Sequence, residues 1–129
     1  MLIHFAILVV FFTTFLFSKE GNALFNPVQS HLKQYRQFIS ENDLTINNGV
    51  INLVLDGRRN NHKSLLLLGF YTVGKQLPKN GFPFREVQII INYTMKDAQQ
   101  MSYIASIESV LALSQGRINP DQFFDEISY

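Results

Sequence analysis

Six consecutive residues, Arg58-Arg59-Asn60-Asn61-His62-Lys63, gather two guanidinium groups, an imidazole and an ammonium into one short stretch. Groups of this kind bind phosphate, sulfate or carboxylate, and the guanidinium does so best because its planar fork offers paired N–H donors. Arg58, Arg59, His62 and Lys63 are therefore the candidate ligand-binding residues, and a small anionic molecule is the ligand they suit. A plainer account of the same stretch is a solvated loop between two strands, with Asp56 pairing one of the arginines.

Two carboxylates, Asp56 and Glu86, are the only pair here suggesting acid–base work on a phosphate or sugar polymer. That chemistry needs both acids in one cleft, with glycosidase pairs lying within roughly 9.5 Å. Little else is catalytic in type. The chain has no Cys, which removes thiol nucleophiles, Cys-based zinc sites and disulfides together. Outside the first residues the histidines are His31 and His62, without ligand spacing, and no Gly-x-Ser-x-Gly motif occurs. No catalytic residue, metal or cofactor is expected. Phe82 and Phe84, either side of Pro83, form the candidate partner contact, a small apolar patch unless they fold back to close the end of a sheet. Asn92-Tyr93-Thr94 is a glycosylation sequon in form, placed at the end of an expected strand.

The elements that must position these residues read as follows. Asn26-Pro27-Val28-Gln29 resembles a helix start, and Val28, Leu32, Tyr35, Phe38 and Ile39 form one stripe, predicting a helix over 27–42. Leu44-Thr45-Ile46 leads into Asn47-Asn48-Gly49, a turn or bulge signal, and then a strand over 50–55. Leu65 through Val73 is an almost unbroken apolar run, which predicts a central strand. Val87, Ile89, Ile91 and Tyr93 alternate with Gln88, Ile90 and Asn92, as a strand with one apolar face does. Thr94 is placed to cap a long helix carrying Met101, Ile104, Ala105, Ile107, Val110 and Leu111 and stopping at Gly116. Asn119-Pro120-Asp121-Gln122 starts a short final helix.

The expected fold class is α+β, a two-layer sandwich. Its order is a helix, three or four antiparallel strands, a long helix and a short C-terminal helix. Double-stranded RNA-binding domains and PD-(D/E)xK nucleases share a helix–three strands–helix order, but their site residues are missing. The second helix start holds one lysine, Lys96, and Glu86-Val87-Gln88 lacks the nuclease lysine. With a formal net charge of +1, no nucleic-acid partner is expected.

The first 17 residues hold no Lys, Arg, Asp or Glu and are mostly apolar, and Gly21 and Ala23 follow like the small residues before a cleavage point. Residues 1–23 are thus expected to be a secretory signal peptide, leaving 24–129 as one domain. The alternative is an uncleaved anchor, since 17 residues make roughly 25 Å of helix against a bilayer core of about 30 Å. The sequence thus suggests a small exported, non-enzymatic binding domain, secreted or periplasmic, its partner an unknown protein or a small anion. A membrane-tethered accessory subunit is the alternative, with membrane contact only through residues 1–17. Intact-mass measurement on soluble and membrane fractions of the native host separates them. A soluble species beginning at Leu24 is expected, whereas a full-length species confined to membranes would establish the anchor.

Overall fold

The computed structural model describes residues 23–58, 60–93 and 99–128. The leader up to Asn22, Arg59 and the expected helix start at Thr94 lie outside those residues. The chain forms helix α1 (residues 23–33), a single 3-10 turn (Glu41–Asp43), β1 (Leu44–Asn47), β2 (Val50–Gly57) and α2 (His62–Gln76). There follow β3 (Glu86–Tyr93), β4 (Gln100–Ser106), α3 (Ile107–Ser114) and α4 (Pro120–Glu126). This is an α+β fold with the strands in spatial order β1-β2-β3-β4.

Local chemistry sets most boundaries. Helix α1 starts earlier than its apolar stripe suggests and ends before Phe38. Arg36 takes a left-handed conformation at φ 59°, and the N–H groups of Arg36 and Gln37 donate to the carbonyls of Lys33 and Leu32. That pair of bonds closes a Schellman stop, which turns the chain although the stripe runs on to Ile39. Asn48 and Gly49 both have positive φ, at 53° and 78°, the two-residue turn whose twist suits a β-hairpin. It joins β1 to β2 in antiparallel register, Leu44 opposite Leu53. At the far end, Asn119 accepts from the backbone of Gln122, whose side chain accepts in return from the Asn119 backbone, and Pro120 occupies the first turn.

Two expected elements differ from those observed. Leu65–Val73 is not a central strand: it lies within α2, the crossover that connects β2 to β3. Those strands consequently pair in parallel, Val54 beside Ile90, so the sheet is mixed and not wholly antiparallel. The long helix expected from Thr94 is also replaced. Residues 100–106 form β4, antiparallel to β3, and the helix begins only at Ile107, where Ser106 caps it. Tyr103 and Ala105 are buried while Ser102 and Ser106 are exposed, a strand alternation that the neighbouring Met101, Ile104 and Ile107 disguise as a helical stripe.

One face of the sheet makes the core. Ile51, Leu53 and Leu55 of β2 and Val87, Ile89 and Ile91 of β3 are buried almost completely. Against them pack Val28 and Leu32 of α1, Leu66, Phe70 and Val73 of α2, Val110 of α3 and Phe123 of α4. Phe70 and Phe123 meet edge to face with ring centroids 5.0 Å apart. Burial of each such side chain stabilises the fold by roughly 1.5–3 kcal/mol.

Helices α2 and α3 approach closely at Gly74, where an added Cβ would stand 2.7 Å from the Ser114 Cβ and 3.0 Å from the Val110 carbonyl oxygen. Gly74→Ala is expected to lower stability by about 1–3 kcal/mol in urea denaturation. Adding Ser114→Gly should recover part of that loss, although glycine inside α3 itself costs about 1 kcal/mol. Simple additivity of the two changes would show that this contact does not set the helix spacing.

Candidate functional site

The basic stretch is a turn into a helix, not a loop between two strands. Arg58 is exposed just after β2, its backbone N–H donates to Asn61 Oδ1 at 2.8 Å, and the Asn61 backbone carbonyl accepts from Leu65 N. His62 and Lys63 fall in the first turn of α2, with His62 half-buried. The Lys63 ammonium lies 5.7 Å from the centroid of the Phe124 ring, a cation–π contact that ties it to α4.

Asp56 and Glu86 do not converge. Asp56 lies beside Asn92 in the parallel pair, and Glu86 is six residues back along the same strand. At about 3.3 Å per residue, the two carboxylates stand roughly 20 Å apart at opposite ends of the uncovered sheet face. An acid pair acting on one bond is thereby ruled out. The two phenylalanines are also separated: Phe84 is a core residue, 6% exposed, whereas Phe82 is 74% exposed. The Phe82 N–H donates to Asn80 Oδ1 and the Phe84 N–H to the Gly81 carbonyl, so the turn points successive rings to opposite sides. Phe84 is accordingly corrected from partner contact to core.

A different group of residues does converge. On the helix layer a cleft of about 670 Å³ opens between the end of α1, the outer side of α2 and the segment joining α3 to α4. Helical spacing builds its floor, since Ser64, Leu67, Leu68 and Tyr71 recur at i, i+3, i+4 and i+7 along α2. Leu66, Phe70 and Val73 face the sheet instead, so this helix is apolar on two sides. His31 of α1 and Tyr35 of the turn that ends it form one wall, and Leu113, Gly116, Ile118 and Pro120 form the other. Asn61, Gln37 and Leu65 complete the lining, which holds no Asp, Glu, Lys or Arg among the described residues.

The polar centre of the cleft is His31. Its Nδ1 lies 2.7 Å from the hydroxyl of Thr72, a residue of α2 with no exposed surface. The Tyr35 ring stands 5.3 Å from the imidazole and the Tyr71 ring 6.5 Å from it, each tilted, so aromatic groups flank it. Tyr35 and Tyr71 remain 56% and 37% exposed, apolar surface left to water at the cleft mouth. None of these residues stands out in sequence as a site. His31 and Tyr35 are four residues apart in the sequence, a spacing that gives no sign of a site by itself. Leu67, Leu68 and Tyr71 form a stripe only once the segment is read as helical.

Among the described residues no helix is long and apolar enough to cross a membrane, and no three His, Cys, Asp or Glu residues cluster to hold a metal ion. The fold and cleft together define a two-layer α+β domain with an apolar recess in its helix layer. No protein-family model, curated protein or solved structure matches this chain.

The different surroundings of the two phenylalanines are measurable. Phe84→Ala is expected to cost about 3–5 kcal/mol of unfolding free energy, and Phe82→Ala to stay within about 0.5 kcal/mol. Equal effects in thermal or urea denaturation would contradict the assigned burial.

Proposed function

We propose that this chain is an exported, non-enzymatic binding domain that acts outside the cytoplasm and holds an apolar ligand in the cleft beside α2. The observation that carries the reading is the cleft itself. Its volume of about 670 Å³ falls in the range of roughly 300–1,000 Å³ typical of small-molecule sites. Its described walls are mainly leucine, isoleucine and tyrosine, with His31, Gln37, Asn61 and Ser64 as the polar side chains. The lack of charged side chains among the described lining residues moves the expected ligand away from the small anion that Arg58, His62 and Lys63 suggest. The apolar leader supports export, and cleavage after Ala23 would leave the buried residues Leu24, Val28 and Leu32 within the mature chain.

The separation of Asp56 from Glu86 supports a binding role over hydrolysis. A domain of this kind would sequester or present its ligand, and the rigid sheet beneath α2 would hold the cleft open between binding events.

The test is fluorescence titration with Nile red, an uncharged dye whose emission brightens in apolar surroundings. Saturable binding by the purified protein is expected. Leu68→Glu places a charge in the cleft floor and should weaken it by at least roughly tenfold. Ser64→Trp, from an exposed position on the same face, should weaken it by filling space. Unchanged affinity in both variants, with folding verified by circular dichroism, would refute the cleft as the binding site.

A further inference from the structure

We infer, building on the cleft as the binding site, that it selects neutral elongated molecules carrying one hydrogen-bond acceptor, with His31 supplying the donor. The argument begins with Thr72. Its hydroxyl is fully buried, and its hydrogen-bond partner is His31 Nδ1. A hydroxyl hydrogen shut away from water needs an acceptor, and leaving it without one is costly. With Nδ1 as that acceptor, Thr72 donates and Nδ1 carries no proton. A neutral imidazole in this state holds its proton on Nε2.

His31 is half-buried and lines the cleft, and with Nδ1 directed at Thr72 the opposite edge of the ring, Nε2, is assigned to the open space. An N–H donor is thus displayed at one end of an apolar trough. Tyr35 and Tyr71 flank the ring. From Tyr71 the floor runs seven residues back to Ser64, about 10 Å of helix. A ligand with its acceptor at His31 lays its apolar body along Leu67 and Leu68.

The same geometry disfavours charged ligands. A carboxylate or ammonium placed in the cleft would shed water without meeting an Asp, Glu, Lys or Arg among the described lining residues. The Lys75 ammonium packs over the Tyr71 ring, 5.4 Å from its centroid, and is not part of the lining. A ketone, ester or alcohol on a hydrocarbon chain meets both requirements, apolar walls for the chain and one donor for the oxygen.

Displacement of Nile red by four ten-carbon compounds tests the selection: decane, 2-decanone, decanoate and decylammonium. 2-Decanone is expected to bind about 5–10-fold tighter than decane, as one neutral hydrogen bond provides. His31→Phe should remove that difference while decane affinity persists. In parallel, long-range proton–nitrogen NMR on labelled protein reads the tautomer, with the proton on Nε2 expected. Thr72→Val leaves the ring in place but should mix the tautomers and reduce the ketone preference, marking Thr72 as a positioning residue. Equal affinity for decane and 2-decanone, tightest binding of decanoate or decylammonium, or a proton on Nδ1 would overturn the inference. Failure of Nile red and all four compounds to bind would refute the cleft reading with it. Binding of decane and dye without a ketone advantage refutes the selection alone.

Discussion

The parallel pairing of β2 with β3 is the constraint on which the rest of the structure depends. Antiparallel neighbours can be joined by two residues, but parallel neighbours require a crossover that returns the chain to its starting end. Here the crossover is α2, and it must lie across one face of the two central strands. Ile51, Leu53, Leu55, Val87, Ile89 and Ile91 then need to face that helix, and they do. The outer strands are added by short connections on either side, β1 beside β2 and β4 beside β3. The remaining described helices join α2 on the same face, so among the described residues no helix packs on the opposite face, where Asn52, Gln88 and Asn92 are half-buried.

The same constraint explains the cleft. A crossover helix has the sheet beneath it and neighbours at its flanks, but nothing in the topology obliges a further layer to cover its outer side. Helix α2 nevertheless carries Leu67, Leu68 and Tyr71 there. The contact between His31 and Thr72 fixes α1 beside it through a polar joint in otherwise apolar surroundings. Such a joint has one satisfied geometry, whereas apolar packing alone tolerates sliding, so it sets where α1 ends relative to α2.

Features written in local chemistry were legible in the sequence. The Asn119-Pro120-Asp121-Gln122 start, the Asn48-Gly49 turn, the Gly116 stop and the alternation of β3 depend on residues adjacent in the chain, and the structure contains them all. The order and pairing of the middle elements were not legible, and particular residues explain why. Leu67 and Leu68 fill the face of α2 that would be polar in an ordinary surface helix, so Leu65 to Val73 shows no helical period. The side chains that hid the helix are those that form the cleft. The site was consequently obscured for the same reason as the fold. The clustered charges of Arg58, His62 and Lys63 are conspicuous instead, because charge is visible in one dimension and concavity is not.

The outer edge of β4 ends with a small feature of wider consequence. Ile104 and Ser128 exchange backbone hydrogen bonds of 2.8 and 2.9 Å, an isolated antiparallel bridge beyond the last strand. Ile104 lies in the middle of β4, so this single pair interrupts the row of outward backbone groups that another chain could use as a template. An approaching strand would have to displace the tail before it gained more than a bond or two. The other edge, β1, is four residues long and offers little length for pairing. Both edges of the described sheet are thereby guarded against edge-to-edge growth by chain geometry.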